Sequence, residues 1–219
     1  MSVPFADLAR AAYCPRQLHY ARRDDERAPP AAVRERQELA FAYPTLRDAD
    51  DATLRDAPLA LPPAAYREAM ATLTDHERWT ELAREHDRGV RLRGRDCHGV
   101  AHKVLDSDPP VPTLVSPGKP PERGVWRPQR VRAVAVAKAL AWEEEREIPR
   151  ALVEYPAHAT VRTVRLTGEN KMSYRRTLRT VRELDGPPPR VDDRGKCDAC
   201  DYASECGVRT RSLRSLLGL

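Results

Sequence analysis

At 219 residues, the chain is long enough to bury a hydrophobic core and corresponds to one large domain with room for an added segment. It has no apolar run near the length of about 18 residues that a membrane span needs, and no charged-then-apolar leader. We therefore expect a cytoplasmic protein with no membrane partner. The net charge of +5 permits an acidic partner such as nucleic acid but does not require one.

Residues 1–88 are expected to form a mainly helical region. Apolar side chains recur at helical spacing over 4–20, and Pro15 predicts a break and restart of the helix next to Cys14. Three more helices are predicted, at 33–41, 64–73 and 76–85. We interpret 43–87, in which proline pairs and polar turns separate short helical pieces, as a helical insert or lid.

Residues 89–186 change in character and predict an α/β core. Two short strands are expected around a turn at 96–99, followed by a strand stub at 113–115 and a proline- and glycine-rich loop at 116–129. The remaining elements are predicted as a helix at 130–145, a hairpin of strands at 151–155 and 160–166, and a helix at 170–184. This order indicates a mixed sheet, and a cysteine-rich segment at 187–219 forms a third region.

Three of the five cysteines lie together near the end of the chain, as Cys197, Cys200 and Cys206, and Cys14 lies almost the whole chain away. The Cys-x-x-Cys spacing puts two thiolates within one turn of backbone, the usual bite for a metal. In a reducing compartment such thiols indicate metal or cluster binding rather than disulfides. Four thiolates hold either tetrahedral zinc or a four-iron cluster, and the unsymmetrical spacing favours the cluster. The alternative is that these are buried free thiols.

Cys97 stands apart from this set, beside His98 and shortly before His102. A Cys-His…His metal site is conceivable at this place. Residues of these types are more often ordinary members of a strand or turn, and we favour that interpretation for Cys97.

The two cysteine-bearing ends of the chain resemble a known family. Segment 13–20 reads Tyr-Cys-Pro-Arg-Gln-Leu-His-Tyr, and 197–206 carries the Cys-x-x-Cys…Cys run. Together with the order of predicted elements, these segments look like the CRISPR-associated RecB-type exonucleases, the fourth Cas family. Segment 118–126, Gly-Lys-Pro-Pro-Glu-Arg-Gly-Val-Trp, is similar to the loop that follows the catalytic strand of that family.

The resemblance implies a restriction-endonuclease-like fold, PD-(D/E)XK, over residues 89–186. It implies that a four-iron, four-sulphur cluster is ligated by the cysteines at 14, 197, 200 and 206. It also implies a nuclease centre of two carboxylates and a lysine, in which the carboxylates hold magnesium or manganese to polarise the phosphate and activate water. The implied partners are DNA and the proteins of CRISPR adaptation or DNA repair.

The nuclease motifs depart from the family pattern. His102 stands in the place of the aspartate, and alignment through the 118–121 loop puts Leu114 at the glutamate and Ser116 at the lysine. A neutral imidazole and a leucine do not supply the oxygen ligands that magnesium requires. The family also has a glutamine on the next helix, where this chain offers Gln129, Arg130 and Arg132. The alternative to a lost centre is a relocated one, built from acids at 106, 108, 122 or 143–145.

Basic residues suggest where nucleic acid would bind. One face of the last predicted helix carries cations at i, i+4, i+8 and i+11, namely Lys171, Arg175, Arg179 and Arg182. The neighbouring face is apolar, through Tyr174, Leu178 and Val181, so the basic face is expected to meet solvent. Lys119, with His102, is a candidate for phosphate contact, and the charge continues at 209, 211 and 214. A solvated arginine face with no ligand is the alternative.

Three functional hypotheses follow. The first is a cluster-containing, DNA-binding protein of nuclease fold that has lost its catalytic metals. The second is an active exonuclease on single-stranded DNA with relocated acids. The third is a protein stabilised by a cluster, with no role in nucleic-acid binding.

Overall fold

The computed structural model describes residues 2–24 and 29–207. The chain begins with a short strand β1 (Val3–Pro4), followed by helices α1 (Phe5–Tyr13) and α2 (Pro15–Ala21). Cys14 lies between the two helices in an extended conformation, with φ −156° and ψ 116°. The predicted break next to Pro15 is therefore confirmed. Arg209, Arg211 and Arg214 lie outside the described residues.

Five short helices occupy the next segment, as the sequence predicted in outline. They are α3 (Ala31–Glu38), α4 (Tyr43–Asp48), α5 (Asp51–Asp56), α6 (Pro63–Thr74) and α7 (Trp79–Leu82). The helix predicted at 76–85 is confined to four residues, because Leu82 is its only buried residue and the residues that follow are polar.

Six further strands form most of two sheets. They are β2 (Val90–Arg93), β3 (Cys97–Ala101), β4 (Lys103–Leu105), β5 (Val111–Val115), β6 (Arg150–Tyr155) and β7 (Thr160–Arg165). The first sheet has the order β1-β3-β2, with β1 parallel to β3. The second has the order β4-β5-β6-β7, in which β5 and β6 are parallel and the other pairs are antiparallel. The α/β class and the 151–166 hairpin are confirmed.

Two predictions about the first strands were wrong. The turn precedes Cys97, so Cys97, His98 and Gly99 lie within β3 and not in a turn. The chain also forms two separate mixed sheets instead of one. The change of sheet occurs at His102, which lies between β3 and β4 and whose backbone N–H donates to the carbonyl of Thr113.

Three helices complete the described chain: α8 (Arg127–Glu143), α9 (Gly168–Arg182) and α10 (Arg194–Asp198). Helix α8 begins three residues before the predicted 130, because Pro128 fits the first turn of a helix. Its middle, from 133 to 137, is buried on every side. Helix α8 is therefore the central helix of the fold.

Two hydrophobic cores lie on opposite faces of the second sheet. One joins α1, α8 and α9 to the strands, and the other joins the 39–82 helices to the same sheet. Successive side chains of β6 point to opposite faces of the sheet, so Val153 packs in the first core and Leu152 in the second. Gly99 allows α1 to approach β3, because a Cβ at its φ of +153° would lie 2.6 Å from the Phe5 ring.

Candidate metal centre and nucleic-acid interface

The four predicted cluster ligands line one cavity. Cys14 reaches it from the junction of α1 and α2, and Cys197, Cys200 and Cys206 reach it from α10 and the turns that follow. The fold therefore brings together thiols that lie 183 residues apart, counted from Cys14 to Cys197.

Contacts around the cavity join α1 and α2 to the end of the described chain. The Tyr13 hydroxyl donates to the carbonyl of Lys196 at 3.1 Å. The Gln17 amide donates to the Cys200 sulphur at 3.8 Å, the kind of N–H···S contact that tunes a metal-bound thiolate. The Tyr20 and Tyr202 rings stack, with centroids 6.1 Å apart. The predicted ligands thus lie among polar and aromatic contacts that join the two ends of the described chain.

The thiols influence one another electrostatically. Loss of hydration raises the pKa of Cys197, and the neighbouring thiols of Cys206, Cys14 and Cys200 raise it further. A bound cationic centre favours the thiolate and would offset both effects. Within residues 2–24 and 29–207, no three His, Cys, Asp or Glu side chains meet closely enough to hold a single metal ion.

The positions of the expected nuclease residues lie at the carboxyl edge of the parallel pair β5 and β6. His102 Nδ1 accepts a hydrogen bond from the backbone N–H of Val115 at 3.0 Å, which places the imidazole near Ser116. Leu114, in contrast, is buried in the core against α8. The structure brings His102 and Ser116 to one edge but turns Leu114 away from it.

Gln129 is the α8 residue that reaches this edge. Its Nε2 donates to the Ser116 hydroxyl at 2.7 Å, and its Oε1 accepts from the Tyr155 hydroxyl at 2.5 Å. Arg132, one turn further along α8, is buried enough that its pKa falls to about 10. Among the described residues, the Arg132 Nε has no hydrogen-bond partner. Of the three α8 residues that the sequence left open for the glutamine position, Gln129 is therefore the one that bonds to Ser116 at this edge.

His102 is held in its neutral form. Burial lowers the pKa of His102 to about 3, and the positive charges of Arg132 and Lys103 contribute in the same direction. Its Nε2 lies 3.2 Å from the amide of Gln37 on α3, so both ring nitrogens have a neighbour. A neutral, enclosed imidazole suits a structural role at this edge better than phosphate binding.

We expect His102 to make the protein sensitive to acid. Because the pKa of the folded state lies below the ordinary value of 6.5, the unfolded state binds this proton more strongly. The stability contributed by neutral His102 is thus complete above about pH 6.5 and is lost as the pH falls toward 3, at about 1.4 kcal/mol per pH unit. Urea unfolding at pH 7 and pH 5 should show a smaller acid loss for His102→Gln than for wild type. Equal losses in the two proteins would contradict the assignment.

A buried polar network that sequence reasoning missed lies on the face of the second sheet that packs against the 39–82 helices. The Lys103 ammonium lies 2.9 Å from Glu154 Oε2, and neither side chain is exposed to solvent. The Thr113 hydroxyl donates to Glu154 Oε1 at 2.6 Å, and Lys103 also donates to the carbonyl of Ala40 at 2.5 Å. The available signal was one charged residue in each of two mainly apolar segments, Lys103 in 103–105 and Glu154 in 151–155, which predicts a buried pair.

The acids considered for a relocated centre do not converge at this edge. Asp108 pairs with Arg146, and Glu143 accepts from the backbone N–H of Arg93 at 2.7 Å. Asp106 and Glu122 are exposed on loops, as are residues 144 and 145 after α8. The carboxylate nearest the edge is Glu154, which Lys103 and Thr113 already engage.

The basic face of α9 has the exposure that its sequence predicts. Arg175, Arg179 and Arg182 are exposed, whereas the apolar face of Tyr174, Leu178 and Val181 is buried. Lys171 is half-buried, and Arg182 pairs with Asp96 at 2.9 Å. Lys119 is exposed on the loop before α8, away from α9. The predicted cations therefore lie on two surfaces.

Cys97 is a buried residue of the core. Its thiol donates to the carbonyl of Ala135 at 3.5 Å and accepts from the Tyr174 hydroxyl at 3.3 Å. Burial raises the pKa of this thiol. His98 bonds instead to Ser2, and His102 lies at the other sheet, so the three do not form the Cys-His…His site considered above.

No family model matches this chain, and no curated protein is detectably similar to it in sequence. Among solved structures, one described as "Crystal structure of SSO0001" is similar over 96% of this chain and 88% of that one. The two are 12% identical, with a TM-score of 0.44. Similarity at this level identifies neither a family nor a function. No helix among the described residues is long and apolar enough to cross a membrane.

Proposed function

We propose that this protein is an iron–sulphur protein that binds DNA without cleaving it, and that it is a divergent relative of the CRISPR-associated RecB-type exonucleases. The observation that carries the proposal is the cavity lined by Cys14, Cys197, Cys200 and Cys206. Four thiolates are the ligand set of a four-iron, four-sulphur cluster. When bound, such a cluster would hold the two ends of the described chain together.

The arrangement of β4 to β7 around α8 supports a PD-(D/E)XK ancestry. Parallel strands β5 and β6 are joined by α8. His102 and Ser116, which stand in place of the catalytic aspartate and lysine of that family, lie at the carboxyl edge of these strands, where ligands of α/β sheets commonly bind. His102 and Ser116 at this edge supply no carboxylate. Glu154 is closed to solvent by its own partners, so we infer that magnesium chemistry has been lost.

Cations near the same edge support nucleic acid as the ligand. Burial lowers the pKa of His158, which follows β6, and the positive charges of Lys119 and Arg36 lower it further, so both cations lie near the end of that strand. Partners in CRISPR adaptation or DNA repair follow only from the resemblance of the cysteine motifs.

The proposal predicts DNA binding without cleavage. Anaerobically purified protein should be brown, with about four irons per chain, as expected for one four-iron cluster. It should bind end-labelled single-stranded DNA with an affinity that falls as salt rises, since phosphate contacts release counterions. No shortening of the strand is expected with manganese. A colourless protein with one zinc would contradict the iron–sulphur cluster. Absence of DNA binding even at low salt would contradict the DNA-binding function.

Cleavage would instead favour the active-exonuclease hypothesis. That hypothesis further requires cleavage to survive in His102→Ala and to be lost in Glu122→Ala or Asp106→Ala. Glu154→Gln adds a test that only the structure suggests, because Glu154 is the carboxylate nearest the edge. Cleavage that persists in all of these variants would point to a contaminating nuclease.

A further inference from the structure

Trp126 presents an aromatic ring to solvent in a fixed position. Trp126 is the residue immediately before α8, and it is 53% exposed. Its indole N–H donates to the carbonyl of Lys119 at 2.9 Å, and its backbone N–H donates to Gln129 Oε1 at 3.2 Å. Gly124, at φ +63°, makes the turn that puts Val125 into the core and leaves Trp126 outside. A ring held in this way loses little conformational entropy on stacking.

Trp126 forms one side of an open groove whose opposite side is made by α1 and the α10 region. The groove is lined mainly by Ala12, Tyr13, Trp126, Arg127, Gln129 and Lys196. Arg127 donates to the carbonyl of Ala12 at 3.1 Å. Asp193 is the acid that lines the groove, and it is paired with Lys196 at 3.1 Å. Lys119, whose side chain is exposed, contacts the indole through its backbone carbonyl, and half-buried Arg130 donates to the carbonyl of Val125, the residue before Trp126.

The groove connects the two candidate sites. At one end Gln129 bonds to Ser116 and to Tyr155, at the carboxyl edge of β5 and β6. At the other end Tyr13 and Lys196 immediately precede the cysteines at 14 and 197. A ligand in the groove would therefore contact both the sheet edge and the residues that a bound cluster holds in place.

We propose that this groove binds single-stranded nucleic acid, with an unpaired base stacked on Trp126 and the adjacent phosphates near Arg127 and Lys119. The inference rests on the proposed binding of single-stranded DNA and deepens it by naming the surface and the residue on which a base stacks. An aromatic ring flanked by cations is the usual platform for single strands, because every base offers a face to stack. Duplex DNA keeps its bases paired and cannot stack on the ring in this way.

A second exposed tryptophan provides a matched control. Trp142 is 57% exposed, near the end of the same helix. It lines a small cavity with Lys138, Arg95 and Tyr174, the last of which belongs to α9. Trp142 therefore has a similar exposure and cationic neighbours but lies at the α9 surface, which the sequence alone had favoured for DNA.

Fluorescence anisotropy with a labelled oligo(dT) strand tests the groove on the full, cluster-loaded chain. We expect Trp126→Ala to weaken binding roughly 5- to 100-fold, the range given by the loss of one stacked base. Trp126→Tyr should retain most of the affinity, and Trp142→Ala should bind as wild type does. Visible absorbance and thermal unfolding should be unchanged in all three variants, which separates loss of stacking from loss of fold.

The outcomes separate this inference from the function on which it rests. If wild type does not bind the strand at low salt, the proposed DNA binding fails and the groove proposal fails with it. If wild type binds and Trp126→Ala binds equally well, the groove proposal fails and DNA binding stands. Loss of affinity in Trp142→Ala alone would move the binding surface to α9. If duplex DNA displaced the labelled strand as well as unlabelled single-stranded DNA does, the preference for single strands would be overturned.

Discussion

Cys14→Ser is expected to destabilise the protein as strongly as Cys200→Ser, although the two residues lie at opposite ends of the described chain. Both line the same cavity, and either substitution removes one of four ligands from the proposed cluster. Because ligand binding to a structural metal site contributes directly to folding, we expect a loss of several kcal/mol and a melting temperature lower by on the order of 10–20 °C. Anaerobic thermal unfolding and iron content measure the effect.

Cys97→Ser is the control for this experiment. Cys97 is buried but lies outside the cavity, hydrogen-bonded to Tyr174 and Ala135. Its replacement should leave iron content and visible absorbance at the wild-type level, whatever small change it makes in stability. Equal yield, iron content and melting temperature for wild type and Cys14→Ser would refute the assignment of Cys14 as a ligand.

Glu154→Gln is expected to cost about 3–5 kcal/mol of unfolding free energy, because it leaves the ammonium of Lys103 buried without its counter-ion. The glutamine oxygen can still accept from Thr113, so the loss isolates the charge. The double variant Lys103→Met, Glu154→Gln should recover much of the stability, since it removes both charges. Urea unfolding of the two single variants and the double variant completes a thermodynamic cycle.

An exposed ion pair supplies the comparison for that cycle. Arg67 lies 2.7 Å from Asp51, with both side chains open to solvent. Asp51→Asn should change stability very little, because water already screens this pair. If Glu154→Gln lowered the unfolding free energy as little as Asp51→Asn, the Lys103–Glu154 pair would not be the buried, mutually dependent pair described above.

The proposed lack of cleavage and the proposed binding of DNA have different structural bases. The buried pair of Lys103 and Glu154 lies on the second-core face of the sheet and is closed to solvent, so a hydrated metal ion cannot reach it. The groove at Trp126, in contrast, is open and carries cations. A protein with these two features can hold a single strand beside an edge at which it has no means to cleave it.

Local patterns in the sequence determined much of the secondary structure. Strict alternation predicted β7 and its hairpin with β6, and helical spacing predicted α8 and α9 to within about three residues at each end. The basic and apolar faces of α9 were also predictable, because the orientation of a helix is set by which of its residues must be buried. The spacing of Cys197 and Cys200 indicated a ligand pair before any fold was considered.

Tertiary structure alone decided the features that depend on residues far apart in the chain. The pairing of Lys103 with Glu154, and the position of Gln129 against Ser116, require strands and helices to be placed in three dimensions. The exposure of Trp126 likewise follows from the turn at Gly124 and not from any periodicity. Local sequence fixes backbone preferences over a few residues, whereas burial, charge pairing and grooves arise only when distant segments pack. The four cysteines show both: their number and spacing belong to the sequence, and their shared cavity belongs to the fold.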